Sequence, residues 1–499
     1  MKYKKLRKQK ISGKSEKNHT PSTLENLHKL FEGCGDVKFH KLVDQEGKPF
    51  HLVYCQGLYD KRKLDQLVIP SFMRILNNHA TESTLSFEEI EEKLETPVSI
   101  VENNEQIISR VFNGEILIMI GEDLLLTVDI SDHPQRSPEE PNSELSIKGA
   151  RDGFVEEIQV NMALIRKRLR TNTLNYEQFV LGKRTHTKVG LLYIEDIIDM
   201  DIITELKERI SKIDIDGVIN STQLKELLKE SPFTILPTIG DTGRPDFAVD
   251  CLLRGRFVII IDGVPTILIG PANLFFLFRS GEDNEFNFLF NSFERLLRIS
   301  GLLISTFLPG MWIALITIHQ DQIPFSLLAT LIESRKGVPL PSAMEAIIML
   351  LLFSLFREAG LRLPKTIGQT LSVIGGLIIG DAAIRAGLTN PAMLVVIAAS
   401  EIATYTLGNI SLTGIVNVLR IFIIILSGTF GVWGLFLSFA LLSIYGAHLR
   451  PFGIPYLAPF TYKKPVTLLN TYFRLPWKLL HTRPGFLKPQ DPTKGGEDG

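Results

Sequence analysis

Between Ile299 and Ala447, 149 residues carry only 13 formal charges, whereas the other 350 carry 96. A chain with that split does not fold as one water-soluble globule; it reads as a soluble part joined to a membrane part. The net charge of −1 excludes a general nucleic-acid binder. Cys34, Cys55 and Cys251 are odd in number and far apart, which excludes a disulfide-built secreted domain and reads as three small buried side chains.

Within the apolar part, Ile299–Ile318 is 20 residues without a formal charge, and Ile421–Ala447 is 27. At 1.5 Å per residue each is long enough to cross a bilayer, the second with tilt. Thr366–Ile384 and Pro391–Gly408 are weaker spans with one acid each, Asp381 and Glu401. Pro341–Phe356 is short and carries Glu345, and Pro324–Ile332 is short enough to be re-entrant. Arg357, Arg362 and Lys365 favour a cytosolic loop, and Arg335 and Lys336 pull the preceding loop to the same side. An acid at the middle of a membrane helix costs about 3 kcal/mol, so Glu401, Asp381, Glu345 and Glu358 are the candidates for an ion pathway or its gate. Glu401 leads, as a lone acid near the centre of its segment; a ring of such acids favours cations in a pore. The structural alternative is an acid held by a basic neighbour, as Asp381 would be by Arg385. Ser372, Gly376 and Gly380 form a small-residue stripe suited to close helix packing.

The soluble part repeats itself. HLVYCQGLYDKRKLDQL at His51–Leu67 and GLLYIEDIIDMDIITEL at Gly190–Leu206 each pass from a short apolar strand through a turn into an amphipathic helix, with Tyr54 and Tyr193 in the same place. NGEILIMIGEDLLLTVDI and RGRFVIIIDGVPTILIG, containing Gly114 and Gly255, each read as strand, tight turn and strand, turning at Gly121–Glu122 and at Asp262–Gly263. The fold class expected is therefore an α/β cytosolic region of two similar half-domains, followed by an all-α multi-span transmembrane bundle. Between the halves, Phe154, Ile158, Met162, Ile165 and Leu169 recur at helical spacing, with a helix start at Asp152–Gly153. The basic cluster Arg166, Lys167, Arg168 and Arg170 reads as a solvated face on a lever helix.

The boundaries expected are a basic disordered tail at 1–29, half-domains at 30–135 and 183–290, and a linker with the amphipathic helix at 136–182. A bundle of four to six spans at 291–450 and a cytosolic proline-rich basic tail at 451–499 complete the chain. The eight Lys/Arg among the first twenty residues are not followed by an apolar run, so they read as a cytosolic tail and not a signal peptide. No phosphate loop, HExxH, GxSxG or CxxC motif is present. Asp241-Thr-Gly243 is half of an aspartic-protease site with no second half, and Arg244 and Asp246 beside it read as a local ion pair. No catalytic residues, metal ligands or cofactors are expected, and the chain is read as a non-enzyme.

Gly149-Ala-Arg-Asp-Gly-Phe154 followed by Asn161-Met-Ala-Leu-Ile-Arg-Lys-Arg168 resembles the signature of spore germination receptor A subunits. Thr185–Lys188, Arg209–Gly217, Arg244-Pro-Asp246, Asp262-Gly-Val-Pro265 and Pro271-Ala272 resemble further elements. So do Gly337–Pro341 with Glu345, Arg357-Glu-Ala-Gly360, Leu363-Pro364, Pro391-Ala392 and Pro451–Pro455 in the membrane part, and the resemblance covers about Leu30 to Pro459. Ala150 stands where the family usually has Pro, and Gly243 where it usually has Glu. The motif positions carried over are Arg151, Gly153, Asn161, Arg166, Arg168, Arg244, Asp246, Asp262 and Gly263. The resemblance implies a nutrient-responsive receptor subunit of the inner spore membrane. Its partners would be a transporter-like B subunit and a lipoprotein C subunit. Homo-oligomers through the membrane part, contact with membrane lipid, no nucleic acid and no enzymatic activity complete the expectation. The alternative is a stand-alone multi-span transporter with a cytosolic regulatory domain. Transporters commonly show repeated membrane halves, whereas the visible repeat here is in the soluble part.

Overall fold

The computed structural model describes residues 24–43, 49–78, 98–101, 103–120, 124–132, 148–363, 380–460 and 472–494. Residues 1–23 of the basic tail, the turn at Gly121–Glu122, Lys365, Ser372, Gly376 and most of the weak span at Thr366–Ile384 lie outside the described residues, while the end of the segment read as a disordered tail is helical, Leu24–Leu30. The chain divides into two compact units, the first Met1–Leu228, Asp241–Ile269 and Pro489–Asp491, the second Lys229–Gly240, Gly270–Lys488 and Pro492–Gly499.

The first unit is built on two five-stranded sheets. The first half-domain has α1 (Leu24–Leu30), β1 (Val37–Val43), β2 (Pro49–Cys55), α2 (Ile69–Asn78), β3 (Val98–Ile100), α3 (Asn104–Val111), β4 (Glu115–Ile120) and β5 (Leu124–Asp129). A helix, α4 (Ile158–Arg166), comes next. The second half-domain has β6 (Leu174–Leu181), β7 (Thr187–Ile194), α5 (Met200–Ser211), α6 (Ser221–Leu227), β8 (Gly240–Thr242), α7 (Pro245–Leu252), β9 (Phe257–Ile261) and β10 (Ile267–Gly270). The strand orders are β1-β2-β4-β5-β3 and β6-β7-β9-β10-β8, the same path drawn twice. Tyr54 and Tyr193 lie on the equivalent strands β2 and β7. Gly114 and Gly255 precede the equivalent strands β4 and β9, at φ of 88° and 84°, where a side chain would be strained.

Period-two alternation explains the first sheet. Phe50, Leu52, Ile116 and Ile118 point into one core with Phe72, while Val53, Cys55, Leu117 and Met119 point into another with Phe31 and Phe112. Both faces are covered, so β4 reads as an unbroken apolar run. A β-bridge between Cys34 and Tyr176 joins the two half-domains. Tyr176 on β6 donates its N–H to Gly33 O at 3.0 Å and accepts from Gly35 N at 3.2 Å. A Cβ on Gly35 would lie 2.5 Å from the backbone Tyr176 O, so this close approach requires glycine.

Two features of the first unit differ from the sequence reading. The second sheet starts at Leu174, inside the segment read as linker, because β6 is the antiparallel edge partner of β7 (Asn175 opposite Tyr193). The linker helix starts at Ile158, and Gly153 and Phe154 belong to an extended strap before it. Asn161 fixes that strap by accepting from Val155 N at 2.8 Å.

The second unit is helical: α8 (Phe288–Thr317), α9 (Phe325–Ser334), α10 (Ser342–Arg362), α11 (Gly380–Arg385), α12 (Pro391–Tyr405), α13 (Ile410–Phe430) and α14 (Val432–His448). Two of these, Phe288–Thr317 and Ser411–Phe430 within α13, are long and apolar enough to cross a membrane. The helical part begins at Phe288, ahead of the expected boundary. Its close contacts are made by glycines on α8: a Cβ on Gly301 would lie 2.1 Å from Thr406 Oγ1, and one on Gly310 would lie 2.5 Å from Ile423 Cγ2. Gly380 packs tightly too, its Cβ position being 3.3 Å from Leu394.

Ile421–Ala447, read as a single tilted span, is a helical hairpin. Gly431 sits at φ 61° and ψ −138°, a conformation for glycine alone, and breaks the run into α13 and α14. Two contacts fold α14 back. A Cβ on Gly434 would lie 2.0 Å from Leu426 O, and the Phe439 ring is 5.8 Å from that of Phe307 on α8. The chain beyond α14 returns to the segment preceding α8: Leu274 N donates to Tyr456 O at 3.0 Å, and Asn273 Nδ2 to Ala458 O at 2.6 Å.

Candidate functional site

In the first unit the motif residues converge on the start and end of α4. Arg166, read as part of a solvated basic face, is fully buried: its guanidinium holds the Asp36 carboxylate at 2.9 and 2.8 Å and donates to Thr171 O and Leu174 O. The same guanidinium stacks over Phe112, 4.1 Å from the ring centre. Asp36 precedes β1 and α4 precedes β6, so this pair ties the first half-domain to the second through a bidentate, charge-assisted contact. Opposite charge and hydrogen bonding hold the Arg166 guanidinium charged against the cost of burial. The Cys55 thiol donates to Asp36 at 3.2 Å; burial pushes it well above its ordinary range and pushes the Cys34 thiol up to about 11. Neither is a thiolate nucleophile at neutral pH.

Arg168, the other motif cation, donates to both Asp152 oxygens at 2.7 and 2.6 Å, while Lys167 and Arg170 do face solvent. Asp262 and Gly263 turn β9 into β10 and also hold the strap: Asp262 Oδ1 accepts from Ile158 N at 3.2 Å, and Gly263 N donates to Glu156 O at 2.7 Å. Phe154 N donates to Gly243 O, next to the Arg244–Asp246 ion pair of 2.7 Å. Asn161, Arg166, Arg168, Asp262 and Gly263 are thus brought together around one helix. Arg151 is solvent-facing on the same strap.

In the second unit the four acids fall into different settings. Asp381 pairs with Arg385 at 2.8 Å and Glu358 with Arg362 at 2.7 Å, both exposed one-turn pairs of small energetic weight. Glu345 is fully buried. Its Oε1 accepts from Thr389 Oγ1 at 2.8 Å, Asn390 N at 2.8 Å and Asn390 Nδ2 at 2.7 Å. It therefore sits on the N-terminal end of α12 and in the first turn of its own α10, where two helix dipoles favour negative charge. Glu401 is not a lone acid. Arg420 on α13, fully buried, pairs with its Oε1, and Arg357 on α10 approaches its Oε2 at 3.7 Å. Arg420 also donates to Ser305 O on α8 at 2.7 Å and to Thr404 on α12. With its amide oxygen facing Arg357, Asn417 accepts from that guanidinium at 3.2 and 2.6 Å. Helices α8, α10, α12 and α13 meet at this one polar node.

The sequence held a signal for the partner. Between Arg385 and Ala447 the only charged residues are Glu401 and Arg420, and opposite charges in an apolar stretch call for each other.

The profile of the Bacillus/Clostridium GerA spore germination proteins matches residues 25–486. The chain belongs to the GerA family. It is 44% identical over 475 residues to spore germination protein XA of Bacillus anthracis, covering 94% of this chain and 96% of that one. It is 34% identical over 481 residues to the uncharacterized membrane protein YfkQ of Bacillus subtilis (strain 168), covering 95% and 92%. A crystal structure of the N-terminal domain of the A subunit of the Bacillus megaterium spore germinant receptor GerK3 covers 50% of this chain and 93% of its own, at 26% identity and a TM-score of 0.40. Membership of this family supports a role in spore germination.

Proposed function

We propose that this GerA family chain is the A subunit of a nutrient-responsive germination receptor, a multi-pass protein of the inner spore membrane whose helical part forms or gates an ion pathway. It works with a transporter-like B subunit and a lipoprotein C subunit, and its α/β half-domains lie on the cytosolic side. The carrying observation is the polar node. Four apolar helices share one Glu401 carboxylate and two guanidinia, Arg420 and Arg357. A buried ionic contact is a poor source of stability compared with packed apolar side chains, and its best-attested use is to specify an arrangement. A node that fixes four helices in one register is suited to a gate with two registers.

The test is Glu401→Gln together with the double substitution Glu401→Gln/Arg420→Gln, which also removes the fully buried Arg420 charge that the single change leaves without its acid. Receptor level in spore membranes and early release of monovalent cations on nutrient addition are measured. The double variant is expected near the wild-type level with altered cation release. Normal level with normal release in both variants would sink the gating role. Release that falls only in proportion to level would reduce the node to a structural contact.

A further inference from the structure

The far end of α8 carries a small cleft that the polar node does not use. Trp312 and Ile316 of α8, Gln320 of the following turn, Leu328, Leu331 and Arg335 of α9 and its C-terminal cap line it together with Asn390. Its volume of about 30 Å³ holds roughly two oxygen atoms of water size. A compact polar group carried by a larger molecule fits such a cleft.

The lining chemistry selects the group. The Trp312 indole N–H is buried and has no acceptor among the described residues. The Arg335 side chain makes no ion pair or hydrogen bond among them, although Lys336 beside it is taken by Glu333. Gln320 turns its amide N–H₂ inward to Ile316 O at 2.7 Å. No carboxylate lines the cleft among the described residues. A guanidinium and an indole N–H over a two-oxygen space match the non-bridging oxygens of a phosphate ester. The rest of the molecule would be apolar, because α9 is a ten-residue helix too short to span and presents Phe325 at 85% exposure, with Leu327 and Ile332 also exposed. Tryptophan is enriched at the head-group level of a bilayer, and arginine reaches it by snorkelling.

We propose that the cleft between α8 and α9 binds the phosphodiester of an anionic phospholipid, with its acyl chains laid along the apolar face of α9. The proposal goes beyond the germination reading and needs only that the helical unit sits in a bilayer.

The full-length chain purified in detergent is titrated with phosphatidylglycerol or phosphatidylcholine, and bound lipid is read by native mass spectrometry. Phosphatidylglycerol is expected to bind about tenfold more tightly than phosphatidylcholine, and Arg335→Gln to remove most of that preference while leaving phosphatidylcholine unchanged. Trp312→Phe should weaken phosphatidylglycerol about threefold. Arg362→Gln, which removes an exposed cation elsewhere, should leave the preference intact. Equal phosphatidylglycerol binding by wild type and Arg335→Gln overturns the site, as does an equal loss in Arg362→Gln, which would mean diffuse attraction. Displacement of the lipid by millimolar inorganic phosphate overturns the lipid and leaves a free anion. Should Arg335→Gln lose helical circular dichroism, Arg335→Lys takes its place: it keeps the charge without the fork, and a loss of roughly threefold is expected. No loss in a folded Arg335→Lys variant, with no loss in Trp312→Phe, overturns the site.

Discussion

Asp36 and Arg166 make the contact on which single substitutions should tell most. Removing one partner leaves a buried charge without its complement, at a cost of about 3–5 kcal/mol. Asp36→Ala and Arg166→Ala should therefore each lower the unfolding midpoint sharply, while the joint change Asp36→Leu/Arg166→Met recovers most of the loss; chemical denaturation followed by circular dichroism checks both. The three thiols give a second residue-level prediction. All are buried, and the Cys34 thiol is pushed up to about 11 from an ordinary 9. At pH 8 an alkylating reagent should label none of them in the folded chain and all three in denaturant. A thiol held protonated by folding contributes stability below pH 9 and loses it as pH rises from 9 toward 11, so the unfolding midpoint should fall across that window. Sequence legibility at this scale tracks separation along the chain. Arg244–Asp246 and Asp381–Arg385 are local and readable. Arg166 looks solvated in the sequence because its acid lies 130 residues away, and no spacing rule reaches that far.

Elements are legible where periodicity and turn chemistry agree. The duplicated strand path is carried by paired apolar runs, by Tyr54 and Tyr193, and by Gly114 and Gly255, all of which act locally. β6 escapes sequence reading because an edge strand with one open face, LNYEQFVL, carries a mixed polar pattern that reads as linker. The hairpin at Gly431 escapes it because an uncharged run of 27 residues satisfies the length of one crossing, and length alone does not see a single left-handed glycine. Gly431→Ala puts a side chain where φ is 61° and ψ is −138°, at a cost of about 1–3 kcal/mol. Gly434→Val drives atoms into Leu426. Both should lower the amount of folded receptor in membranes, measured by immunoblot, whereas Gly414→Ala, with open space beside it in mid-helix, should not.

At the scale of the whole molecule, the sparsely charged stretch Ile299–Ala447 lies inside the second unit, and the first unit carries its own cores on both faces of its first sheet. A fragment covering residues 24–270 is expected to be soluble without detergent and to unfold cooperatively by circular dichroism; recovery only as aggregate would refute its independence. The node of Glu401, Arg420 and Arg357 is half legible, since the acid is visible in the sequence but its three-dimensional neighbours are not. The hairpin carries a consequence for sidedness. Because α14 retraces α13 and the chain beyond it is stitched to Asn273 and Leu274, the two ends of the helical unit lie at the same end of it. A reporter inserted just after His448 should therefore be cleaved by an added protease, or shielded from it, together with one inserted just before Phe288. In a bundle that spans the membrane as proposed, the segments flanking it would share a compartment, and a signal would pass from one to the other without crossing the lipid.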